Sequence, residues 1–146
     1  MTSLAKIIAR TTSPVVTIKP TDMVSSAVKL MADRNIGALL VMDGQKLVGI
    51  LSERDLVRKL LSADVPARST PVSAIMTKNP FGADPKKTVE ACVAMMSEHR
   101  FRHLPVLDDA DKVVGMVSMG DLVSDLVKEQ AFMLEQFERY VATGTS

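Results

Sequence analysis

The chain has no tryptophan, one tyrosine and four phenylalanines in 146 residues. So few rings argue against a surface built to stack on nucleobases or sugars. A single cysteine, Cys92, excludes an intramolecular disulfide and suits a reducing compartment. Charge of either sign is not in excess. Eighteen basic residues face 17 acidic ones for a formal net charge of +1, so no broad field exists to hold a nucleic-acid backbone or an anionic membrane. Long apolar runs are missing as well: the most apolar stretch, Ile36 to Met42, is far too short to span a bilayer. The first residues carry Lys6, Arg10 and Lys19 with no apolar stretch of signal-peptide length. The expectation is a soluble, cytoplasmic protein without nucleic-acid or membrane partners. No G-x-G-x-x-G, no phosphate-loop lysine motif and no G-x-S-x-G occurs, so nothing suggests an enzyme or a catalytic residue.

What the chain has is a repeat. At 47% hydrophobic it can bury a sizeable core, as one compact domain or as two small ones packed together. "GILSERDLV" (49–57) returns as "GMVSMGDLV" (115–123), at an offset of 66. "VSSAVKLMADRNIGALLVMD" (24–43) lies against "VEACVAMMSEHRFRHLPVLD" (89–108) at an offset of 65, with matching apolar positions almost throughout. Each copy predicts a short extended piece (Val15 to Ile18; Phe81 to Ala83), then a helix with apolar residues at three- and four-residue spacing. Thr21 and Lys87-Thr88 sit where helix caps belong. Two strands follow in each copy, Leu39 to Met42 with Leu47 to Leu51, and Leu104 to Leu107 with Val113 to Val117, joined by "DGQ" or "DDADK". A last helix begins near each S-x-x-D. The fold class expected is therefore α/β, two units of strand, helix, strand, strand, helix packed pseudo-symmetrically, with paired clefts between them.

The boundaries read as a first unit over 1–61 including an N-terminal brace, a linker over 62–79, a second unit over 80–127 and an amphipathic C-terminal helix over 128–146. "VSAIMTKNP" and "AKIIARTTSP" both set a short apolar helical turn before a polar stretch and a proline, so each unit carries a preceding brace.

This order of elements, with h-P-V in one strand and G-h-h-[ST]-x-x-D ending the next, resembles the CBS domain, two of which in tandem form a Bateman module. The resemblance covers about residues 4 to 127 and leaves no room for a catalytic domain. It implies a regulatory module that binds adenosine compounds, among them AMP, ADP, ATP, NAD and S-adenosylmethionine, in clefts between the repeats. Carried onto this chain, it implies ligand contacts in the first copy from Thr17, Ile18, Ile36, Gly37, Ala38, Ser52, Arg54 and Asp55. In the second copy it implies Pro80, Phe81, Gly82, Arg102, His103, Leu104, Pro105, Ser118, Met119 and Asp121.

The chemistry of several of these residues suits that role. A carboxylate can accept charge-assisted hydrogen bonds from two vicinal ribose hydroxyls, the role given to Asp55 and Asp121. Ser52 and Ser118 sit where a strand delivers the chain into a helix, so free backbone N–H groups converge where a phosphate would lie. "RFRHLPV" sets Arg100, Arg102 and His103 beside the second site, whereas "NIGALLV" offers Gly37 and Ala38 at the matching positions and Leu40 in place of the proline. Unequal sites are expected, with Arg54 as the one compensating cation at the first. The scarcity of cations favours AMP or a dinucleotide over tightly held ATP.

Plainer readings stand beside these. Ser52 with Asp55, and Ser118 with Asp121, are also the pattern of a helix capping box. Arg100 and Arg102 can be ordinary solvated residues, and His103 can hydrogen-bond locally. The ten methionines suit irregular core gaps. Cys92, His99 and His103 would share a stripe only if one helix ran through all three. The repeat puts His103 in a strand, so no metal site is expected.

After Asp121 the chain runs to Gly144 without proline or glycine, and Leu122, Leu126, Met133, Phe137, Tyr140 and Val141 form an apolar stripe. Pairing with the same helix of a second subunit is the reading favoured, giving a homodimer through module faces and tail; folding back over the module is the alternative. The leading functional expectation is a non-catalytic adenine-nucleotide sensor acting on an unknown protein target. Its rival is a protein-protein adaptor with empty clefts.

Overall fold

Leu4 and Ile7, three residues apart, give the first helix, α1 (Leu4–Arg10), its one buried edge. The computed structural model describes residues 2–10 and 15–144. Residues 11–14, at the polar end of the expected N-terminal brace, and residues 1, 145 and 146 lie outside the described residues. β1 (Thr17–Ile18), α2 (Val24–Arg34), β2 (Ala38–Asp43) and β3 (Lys46–Ser52) follow. A short helix, α3 (Glu53–Asp55), then runs directly into a π-helical stretch from Leu56 to Leu61. A single 3-10 turn (Val72–Ala74) and β4 (Thr77–Lys78) separate this copy from α4 (Val89–His99), β5 (His103–Leu107), β6 (Val113–Ser118) and α5 (Met119–Gly144).

The two copies match in detail. α2 and α4 each end on a left-handed residue, Asn35 at φ 52° and Arg100 at φ 59°. The strand pairs β2/β3 and β5/β6 are both antiparallel and both slip register near their far end, at Val41/Met42 and at Val106/Leu107. Three expectations are corrected. Thr21 is not a helix cap: α2 starts from Met23, and its first N–H groups donate to the carbonyls of Thr70 and Ala67. At α4 the Thr88 hydroxyl does cap, accepting from the Ala91 N–H at 3.2 Å. The extended piece at Phe81 to Ala83 shrinks to one parallel bridge between Ala83 and Val106, because its glycine and proline neighbours limit pairing. The stretch read as linker holds β4, which pairs antiparallel with Gly49 and Ile50 of β3 and completes a sheet of order β1-β2-β3-β4.

The braces cross. Leu4 and Ile7 of α1 belong to the core of the second copy, with Val89, Cys92, Met96, Leu104, Val106, Val117 and Leu122. Val72 and Ile75 belong to the core of the first, with Val24, Ala27, Leu39, Val41, Leu51 and Leu60. Backbone contacts say the same: Val89 N–H donates to Thr2 O and Val24 N–H to Thr70 O, each at 2.9 Å. Each copy therefore keeps its sheet and helices but takes its brace from the segment preceding the other.

Candidate functional site

Ser118 ends β6 with its N–H donating to Asp121 Oδ2 at 2.8 Å, and the Asp121 N–H donates back to Ser118 Oγ at 3.1 Å. This is a capping box at the head of α5. Among the described residues, the other carboxylate oxygen of Asp121 accepts no hydrogen bond, and the side chain is exposed. It lies at a cleft of about 550 Å³ between the copies, a volume suited to a nucleoside-sized ligand. Asn35, Ile36, Gly37 and Ala38 line it from the first copy with Val15 and Val16. His103, Val114, Gly115, Met116 and Ser118 line it from the second, and Ile8 from α1. Gly37 leaves little spare room, since a Cβ there would lie 3.2 Å from Glu53 Oε1 and 3.5 Å from the His103 ring. Gly115 is tighter still, at 2.9 Å from Ile8.

A second hollow of about 570 Å³ shares His103 and Ser118 with the first and is lined by Arg54, Arg100, Arg102, Met119 and Gly120. Three guanidinium-bearing residues and the start of α5 thus adjoin an apolar cleft. That arrangement favours an anion beside an apolar group. Arg54 crosses from the first copy, its Nη1 donating to the Arg100 carbonyl at 2.7 Å. A third hollow, about 390 Å³, continues the same patch past Arg102 to Ser52, Glu53 and Gly37. His103 lines all three. Burial pushes its imidazole pKa below the usual 6.5; Glu53 and Asp121 oppose that shift, and Arg102 adds to it.

Asp55 sits differently. It is only 5% exposed, and four donors surround its carboxylate. Ser52 N–H (2.9 Å) and Ser52 Oγ (3.1 Å) reach Oδ2, while Thr77 Oγ1 (3.1 Å) and Lys59 Nζ (3.0 Å) reach Oδ1.

Of the residues singled out from the sequence, Ile36, Gly37, Ala38, His103, Ser118 and Asp121 come together in one cleft. Arg54, Arg102 and Met119 meet in the hollow beside it. Ser52 lines the third hollow, and the others lie apart from all three. Ile18, Leu104 and Pro105 are buried in their strands, and Thr17 pairs with Leu40. Phe81 stacks on Phe101 with ring centres 5.3 Å apart and lies tilted against His99 at 4.4 Å, next to Pro80 and Gly82. Val15, Val16, Asn35, Val114, Gly115, Met116 and Ile8 were missed. The apolar run before Ser118 could point to Val114–Met116, but no sequence signal points to Ile8, which arrives with the crossed brace. Cys92 is buried in the second core, and burial pushes its thiol pKa up, which suits a packed rather than a reactive sulfur. No group of three metal-ligating side chains occurs among the described residues, and no described helix is long and apolar enough to cross a membrane.

Two α/β units with crossed braces and a cleft between them define a tandem regulatory module. The chain belongs to the CBS domain family, whose pattern matches residues 5–62 and 72–128. Tandem modules of this family generally regulate. Similar proteins include the mitochondrial CBS domain-containing protein CBSX3 of Arabidopsis thaliana, 37% identical over 84% of this chain and 62% of that protein's length. The CBS domain-containing protein YhcV of Bacillus subtilis is 32% identical over 82% of this chain and 85% of that protein. Among solved structures, a protein with CBS domains from Burkholderia ambifaria MC40-6 superposes with a TM-score of 0.84 at 40% identity, covering 88% of this chain and 96% of its own. The structure of CBSX2 in complex with AMP superposes at 0.72 with 26% identity, over 89% of this chain and 99% of its own.

Proposed function

We propose that this chain is a non-catalytic sensor of adenine nucleotides, with AMP as its ligand in the Asp121 cleft. The observation that carries the reading is a carboxylate with a free oxygen at the mouth of an apolar cleft, next to a cationic hollow. Ribose hydroxyls donate to Asp121, and the purine lies among Ile36, Gly37, Ala38 and the backbone of Val114–Met116. The phosphate lies toward Met119 and Gly120 at the head of α5, near Arg102, His103 and Arg54. The AMP complex of CBSX2 supports the ligand class. ADP, ATP and NAD extend the anion past three arginines, one of which already donates to a carbonyl, so AMP binds best.

Calorimetric titration of AMP, ADP, ATP, NAD and S-adenosylmethionine tests this. Saturable AMP binding weakened at least about tenfold in Asp121→Ala, as expected for loss of a charge-assisted pair of hydrogen bonds, supports the sensor. Silence toward all five ligands leaves the adaptor reading.

The same proposal includes a homodimer. From Ala131 onward every described side chain of α5 is exposed, including Met133, Leu134, Phe137 and Tyr140, each at least 59% exposed. Val123, Val127, Gln130, Leu134, Phe137 and Val141 alternate four and three residues apart, the spacing of a two-helix seam. A second copy of α5 offers the same seam, and burying both removes the exposed apolar surface from water. Ligand binding then regulates an unidentified target by favouring one arrangement of the paired modules over another.

A further inference from the structure

The two copies carry their capping boxes in the same place but surround them with opposite chemistry. Adding 66 to Ser52, Asp55 and Lys59 gives Ser118, Asp121 and Asp125. The braces align through what they touch: Met76 packs against Gly49 as Ile8 packs against Gly115, and Thr70 O caps α2 as Thr2 O caps α4. Thr77 therefore corresponds to Ala9, and Lys78 to Arg10.

Around Asp55 the matched positions hold an ammonium and a hydroxyl. A carboxylate offers about four lone-pair sites, and four donors between 2.9 and 3.1 Å already use them. Two ribose hydroxyls arriving there would be donors without acceptors, and the unmade hydrogen bonds would oppose binding. Around Asp121 the same positions hold a second carboxylate and a methyl group. Asp125 turns instead to Arg10, at 3.1 Å, so the cation serves the brace and leaves Asp121 alone.

We infer that Lys59 and Thr77 are built-in occupants of the Asp55 carboxylate, closing one of the two pseudo-symmetric clefts so that each chain takes one nucleotide, at Asp121. This rests on the nucleotide reading above and adds its stoichiometry and the residues that set it. The sequence difference first taken to weaken the Asp55 site, the lack of basic residues in "NIGALLV", is not the cause here. Its first four residues, Asn35 to Ala38, line the Asp121 cleft.

The test is calorimetric titration of the full chain with AMP. The wild type is expected to bind one AMP per chain, and Asp121→Ala to bind none. The double variant Lys59→Ala/Thr77→Ala, with circular dichroism and urea unfolding confirming its fold, is expected to bind two. Adding Asp55→Asn should return it to one. If the double variant does not fold, Thr77→Ala alone, which keeps the half-exposed lysine, is expected to show a weaker second event that Asp55→Asn removes. Two AMP per wild-type chain with one lost in Asp55→Asn overturns the inference and leaves the sensor intact. A folded double variant without an Asp55-dependent event overturns it too. Wild type that binds no AMP overturns the reading of the Asp121 cleft, and the double variant still decides whether Lys59 and Thr77 close the other.

Discussion

His103 has the widest reach of any single residue in the candidate site. Its imidazole is partly buried between the two copies, faced by Glu53 and Asp121 on the acidic side and by Arg102 on the basic side. The sign of its pH dependence follows. The unfolded chain takes up a proton at His103 near the usual 6.5, whereas the folded chain does so only at lower pH. Between those two values the unfolded state binds more protons, so stability falls as pH drops below about 6.5. Urea midpoints measured from pH 7.5 to 5 should decline, and His103→Gln should flatten that decline. AMP affinity is expected to move the other way, rising as pH falls, because a bound phosphate favours the imidazolium. Arg100 offers a second residue-scale test. It holds a left-handed conformation at φ 59° that a non-glycine residue adopts at a cost of roughly 1–2 kcal/mol. The matched Asn35 tolerates it better. Arg100→Asn should therefore raise stability by up to about 1 kcal/mol in urea unfolding, while weakening AMP if its charge serves the phosphate. The sequence could mark Asp55 and Asp121 as a pair but could not separate them. What distinguishes them is Lys59 one turn on and Thr77 brought in from 22 residues away, and only the fold shows the second.

At the level of elements, the duplicated helix and strand pair of each copy were legible because two independent copies of one apolar pattern agree on their limits. The caps and braces were not. Thr21 looked like a cap by residue type, yet carbonyls of Ala67 and Thr70 do that work from outside the local sequence. An apolar pair such as Leu4 and Ile7 announces a buried edge and says nothing about which copy buries it. α5 was legible as one continuous helix, and it runs 26 residues, about 39 Å. Its first turns are anchored by Leu122, fully buried in the second core, and its last fourteen residues lie wholly exposed. Leu134→Glu/Phe137→Glu should leave the module folded and shift sedimentation from dimer to monomer. A dimer that survives this change must pair through the module faces instead.

Taken whole, the molecule is two half-modules stitched by reciprocal exchange. Leu4 is 0% exposed and, with Ile7, enters a core otherwise built from residues 83 to 122. Leu4→Ala should cost about 2–5 kcal/mol, and, because the exchanged segments tie the copies together, circular dichroism and differential scanning calorimetry should follow one shared unfolding transition. Two transitions would mean that the halves unfold independently despite the crossing. That exchange also sets an order on biosynthesis. Leu4 and Ile7 leave the ribosome before the surface they fit, built from residues 83 to 122, has been synthesised. Until then those two apolar side chains stay unhoused. Slow translation past residue 122, or early engagement by a chaperone, would therefore govern yield more strongly than the intrinsic stability of either half.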